Sequence, residues 1–106
     1  MKELKNLKEV NSFIKDNMIN IVMFTTTTCV VCHPLKEKII KRFANEIPLA
    51  SVMVDDHKEV ASSFGIYSAP ITILFVDGKE ISRHALALDI NELALKVERF
   101  KDLLRD

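Results

Sequence analysis

Three short apolar runs constrain this chain more than anything else in it: INIVMF at residues 19–24, LASVMV at 49–54 and ITILFV at 71–76. Each is too short for a helix in this setting and is rich in branched or bulky apolar residues. Each therefore reads as a strand buried on both faces. Between the first two runs the period changes. From Val31 onward Leu35, Ile39, Ile40, Phe43, Ala44 and Ile47 form a helical stripe that Pro48 ends. Lys36, Lys38, Lys41 and Arg42 fall mostly off that stripe and form a solvated face. Strand, helix and strand of this size make a βαβ unit, which implies parallel strands.

The flanks extend the pattern. Leu4, Leu7, Val10, Phe13 and Ile14 mark a first helix over roughly residues 7–16, with residues 2–5 open to a short edge strand. Val60, Ala61 and Phe64 give a short helix after Asp55–Asp56, and Gly65 stands where its end needs a left-handed residue. VDGK at 76–79 is a two-residue hairpin signal, after which EISRHA returns as an antiparallel edge strand. Asp89 and Glu92 have the spacing of an N-cap and its partner. Ile90, Leu93, Ala94, Val97, Phe100 and Leu104 form the stripe of a last helix. The expected fold is α/β: a central mixed sheet, made of the βαβ unit and a C-terminal β-hairpin, with helices on both faces. A chain of 106 residues fits one domain, 1–106.

Fifteen acidic against fifteen basic residues leave no net charge. That argues against a nucleic-acid binder or a polybasic membrane anchor. No apolar run approaches the roughly 18 residues of a membrane span. The start, MKELKNLKEV, lacks the apolar core of a signal peptide. The expectations are a cytoplasmic monomer with no nucleic-acid or membrane partner.

The two cysteines, Cys29 and Cys32, both fall in FTTTTCVVCHP at 24–34. They follow the end of a buried parallel strand and open the next helix, the end at which open α/β sheets place their sites. Helix N-terminal amides and the helix dipole favour negative charge, so a thiolate on Cys29 is stabilised there. Cys32, one turn on, can reach back, so one sulfur attacks and the other resolves a mixed disulfide. Val30 and Val31 give the pair an apolar, stiff lip suited to a protein substrate, or else pack into neighbouring loops.

With these residues in place, the chain resembles thioredoxin-like proteins over nearly its whole length. The likeness is carried by strand–TCVVC–helix, by FGIYSAPITILFVDGKEI at 64–81, and by the spacing between them. It implies a thiol–disulfide oxidoreductase acting on disulfide-containing proteins, recharged by a disulfide reductase or other thiol donor, with no bound cofactor or metal. Cys29 would be the nucleophile and Cys32 the resolving thiol. Pro70 would match the family's cis-proline, with Ala69, Thr28, Val30 and Val31 meeting the substrate. The chain departs from the family in several places. Thr28 replaces a tryptophan, and Val30–Val31 replace Gly-Pro. Met23 stands where the family buries an aspartate, and Ser51 where a partner lysine is common. His33 is then the candidate modulator of Cys32. Pro34 falls earlier than the family's helix proline, and Leu86 or Ala87 lies where a glycine often flanks the site.

Three other readings compete. CVVCH has the form of a c-type haem attachment site, with His33 as axial ligand, but this leaves the Pro70 segment unexplained. A zinc site would need Cys29, Cys32 and two of His33, His57 and His84, which are scattered singly. A thioredoxin-like module could bind partners without turnover, a reading favoured by the departures at Thr28, Met23 and Ser51 and opposed by the retention of both cysteines.

Overall fold

A computed structural model of the chain describes residues 1–105. The order is β1 (Lys2–Leu4), α1 (Leu7–Asp16), β2 (Ile19–Thr25), α2 (Cys32–Phe43), β3 (Leu49–Met53), α3 (Lys58–Phe64), β4 (Ile71–Val76), β5 (Lys79–Ala85) and α4 (Ile90–Leu104). The five strands form one mixed sheet in the order β1-β3-β2-β4-β5. β1 and β2 run parallel to β3, β4 runs antiparallel to β2, and β5 antiparallel to β4.

Strand alternation explains the two cores. On β2, Val22 and Phe24 face one side with Ala50, Val52, Ile71, Ile73 and Phe75, where α1 and α3 cover them with Val10, Phe13 and Val60. Ile21 and Met23 face the other side with Leu49, Leu74 and Val76, covered by Ile39 and Phe43 of α2 and Leu93 and Val97 of α4. Both faces of the central strands are dry, as their unbroken apolar sequence requires.

The caps are local. Asn6 accepts a hydrogen bond from the Glu9 amide at 2.9 Å and starts α1, a cap the apolar periodicity alone does not reveal. Asp89 accepts from the amides of Asn91 and Glu92, both at 3.1 Å, and starts α4. Asp77 and Gly78 hold φ of 53° and 76°, the geometry of a tight hairpin. Gly65 ends α3 at φ 65°. A Cβ there would touch only Arg83 Nη1, at 3.9 Å. Gly65→Ala is therefore expected to cost about 1 kcal/mol through backbone strain rather than a clash, read as a lower midpoint in urea.

Two expectations need correction. α2 ends at Phe43, not at Pro48, because the amides of Glu46 and Ile47 both turn back to the Phe43 carbonyl. The helical stripe therefore breaks: Ala44 is exposed, while Ile47 is buried from the turn. Leu104, assigned to the buried stripe of α4, is exposed at the end of the last turn.

Candidate active site

The site lies at the carboxyl ends of β2 and β3. The threonines after the β2 core change the chain's course because hydroxyls can bond where apolar side chains cannot. Thr25 Oγ1 donates to the Val52 carbonyl at 3.3 Å, and the Val54 amide donates to Thr25 O at 2.9 Å. Thr27 donates to the Asp55 carboxylate from its amide at 3.1 Å and its hydroxyl at 2.5 Å. This clamp joins positions 28 residues apart, so no local pattern announces Asp55 as part of the site.

The Thr27 hydroxyl, and after it the Thr27 amide, hold the Asp55 carboxyl below the usual carboxylate range. The sign follows from linkage. A depressed folded value means the clamp is at full strength above the usual range and is lost as pH falls through the lowered value. Asp55→Ala is expected to speed hydrogen exchange of the Thr27 amide near neutral pH while leaving the β4 amides unchanged.

Cys29 and Cys32 are joined by a disulfide, with Sγ–Sγ 2.11 Å and Cα–Cα 5.4 Å. Cys29 does not open the helix as the sequence implied. It sits in the preceding turn, its amide bonded to Thr26 O and its carbonyl accepting from the Cys32 amide, both at 3.3 Å. Cys32 is the first helical residue, after Val31, whose apolar side chain gives no cap bond. The turn separates the two sulfurs by environment: Cys29 is half-buried, and Cys32 is 6% exposed within the core of Met23, Ile39 and Leu93. Pro34 lies inside the first turn of α2, where its missing N–H does no harm, and the Leu35 amide still reaches Val31 O at 3.3 Å.

The other sequence-assigned residues surround this pair. Val30 is 87% exposed and points outward as a lip, while Val31, 50% exposed, also borders a groove beside Leu86, Ala87 and Leu88. Thr28 is exposed beside them. The Ala69–Pro70 peptide bond is cis. Pro70 is buried, and Ala69 packs on the same core as Cys29. Leu86 bonds from its amide to Pro70 O at 3.0 Å and holds a left-handed φ of 54°, a conformation that favours glycine. It shares a groove with Val31 and Pro34. His33 lies at the rim with its ring toward Glu37, at 3.2 Å, and not in the core behind Cys32.

Met23 and Ser51 are direct partners in the β2–β3 register, and both are buried. Neither ionises, so the pair contributes no charge behind Cys32. Among the described residues, no three of His, Cys, Asp and Glu come together to hold a metal ion. His84 is on β5, bonded to Ser82 at 3.0 Å, with its pKa pushed down by burial. Zinc ligation by the cysteine pair and two histidines is therefore not assembled.

Comparison with known proteins agrees with this architecture. A family model described as Thioredoxin matches residues 2–99. The thioredoxin-like protein YdfQ of Bacillus subtilis is 31% identical over 102 residues, which cover 93% of this chain and 90% of that protein. The thioredoxin of Chlamydia caviae is 31% identical over 85 residues, or 78% of this chain and 82% of its own. A mutant thioredoxin from Halobacterium salinarum superposes with a TM-score of 0.81 over 92% of this chain and 88% of that one. At 23% identity this last likeness is one of fold. No helix among the described residues is long and apolar enough to cross a membrane.

Proposed function

The chain belongs to the thioredoxin family, and from that premise we propose that it is a thiol–disulfide oxidoreductase acting on protein substrates through Cys29 and Cys32. The observation that carries this is the disulfide itself, placed in the turn between β2 and α2 with one sulfur half-exposed and the other buried. In the reduced protein the Cys29 thiolate attacks a substrate disulfide and forms a mixed disulfide. Cys32 then attacks Cys29 Sγ and releases the reduced substrate, leaving the Cys29–Cys32 bond. Two electrons pass to the substrate and two thiols of the protein are consumed. A disulfide reductase or other thiol donor restores them, with no resident cofactor.

Thr28, Val30, Val31, Ala69 and Pro70 form the face that meets the substrate. The exposed valines supply apolar contact close to the half-exposed sulfur, and an apolar contact face suits a polypeptide partner. His33, paired with Glu37 at the rim, is the candidate modulator of the site. A reducing compartment such as the cytoplasm suits this cycle, because it keeps the donor supplied.

Thiol labelling in graded redox buffers tests the reading. A reversible two-electron couple is expected. A potential near about −270 mV or lower makes the protein a reductant, and one toward roughly −180 to −120 mV makes it an oxidant or exchanger. Thiols that form no reversible disulfide would overturn the proposal in favour of a binding module.

A further inference from the structure

A pocket of about 250 Å³ opens beside the disulfide, lined by both cysteines, Thr25, Ser51, Glu3 and Lys36 among others. The exchange scheme leaves its cation unused. Lys36 follows Cys32 by four residues on α2, so the two side chains share a helix face. Lys36 is half-buried, and among the described residues its ammonium enters no salt bridge.

The chemistry calls for a charge at this place. When a donor thiolate attacks Cys29 Sγ, a donor–Cys29 bond forms and the Cys29–Cys32 bond breaks. The electron pair is left on Cys32 Sγ. A second donor thiolate then frees Cys29. A thiolate on Cys32 is disfavoured by its apolar surroundings unless a cation faces it. On the core side it has Met23, Ile39 and Leu93, with Ser51 opposite Met23.

The other charged or titratable groups around the pocket come from α2 itself, from β1, and from the segments after β3 and before α3. Glu3 of β1 is paired with Lys5, at 2.6 Å, and Lys36 and then His57 before α3 also act on Glu3 from a distance. His33 is turned to Glu37. Asp55, after β3, is held by Thr27. That leaves Lys36 as the pocket cation with no salt-bridge partner within contact distance among the described residues, on the same helix as the buried sulfur and with the Lys5-paired Glu3 as its distant counter-charge.

We propose that Lys36 is the group that stabilises the Cys32 thiolate as the disulfide opens, reaching it across the pocket from the helix surface. This rests on the exchange reading above. It gives the chain a surface cation in a place where the strands behind Cys32 supply none.

The test uses the full chain carrying Cys29→Ser, in which Cys32 is the only thiol, with Lys36 native or changed to Met or Arg. The ultraviolet absorbance of the thiolate is followed against pH, at low and high salt. Lys36→Met is expected to weaken Cys32 ionisation about tenfold at low salt, as loss of a nearby opposite charge does. Lys36→Arg is expected to stay within about twofold, and the difference between Met and native is expected to shrink in high salt. In the protein with both cysteines, Lys36→Met is expected to slow reduction by dithiothreitol in parallel. An unmoved Cys32 titration in Lys36→Met would overturn the inference. So would an equal shift in Lys36→Met and Lys36→Arg, which would mark a packing effect. The exchange reading fails separately, if the native protein shows no reversible disulfide in redox buffers.

Discussion

Cys29→Ser is expected to bring disulfide exchange down to the uncatalysed background while leaving the protein folded. A hydroxyl at this position neither ionises near neutral pH nor forms a disulfide. Lost folding cannot imitate this result. The bridge closes a loop with a sequence separation of only 3, and a loop that short contributes at most about 2 kcal/mol through chain entropy. A domain of this size is stable by about 5–15 kcal/mol.

Cys32→Ser is the informative contrast. It keeps the more exposed sulfur and loses the buried one, so the first attack proceeds and the mixed disulfide accumulates, visible as a mass adduct. Retention of full turnover by either variant would remove the assigned pair from the mechanism. The reverse pattern, with adducts trapped on Cys32, would exchange the two roles.

Met23→Asp should produce the largest loss of stability, about 3–5 kcal/mol, the range for an uncompensated buried charge. Met23 is fully buried between Ile21, Leu74 and Leu93, and its register partner is Ser51. The pH dependence has a definite sign. Burial raises the introduced carboxyl's folded pKa above its unfolded value of about 3.9. Below that value both states are protonated and the ionisation cost vanishes. As pH rises, the unfolded chain ionises first, so the variant loses stability progressively until its raised folded value is passed. The gap in melting temperature to the native protein should therefore widen between about pH 4 and pH 7. Adding Ser51→Lys should recover part of the loss, because the register sets the two side chains side by side on one face. Strict additivity of the two changes would show that they do not meet.

The pattern of strands was legible because each central strand is apolar throughout, and that is possible only where both faces are covered. ITILFV is β4 without a residue's difference. The Asp77–Gly78 turn and the Gly65 cap were legible for a local reason: each needs a positive φ that few residues accept. The ends of α2 were less readable. Its start depends on how the Thr26–Thr28 turn is clamped by Asp55, and its end on how the chain swings back into β3. Neither is a property of a helical stripe.

The sequence by itself determined the mixed α/β architecture and the pairing of two sulfurs near a helix start. Periodicity and close spacing are local quantities that the chain carries before it folds. The tertiary structure decided how unlike those sulfurs are, that Cys29 stands before the helix and Cys32 inside the core, and that His33 turns to Glu37. It also brought Glu3, Lys36 and Ser51 from three separate elements to one pocket beside the disulfide. Burial and charge environment arise between segments distant in sequence, so they exist only once the sheet and its helices have closed around them.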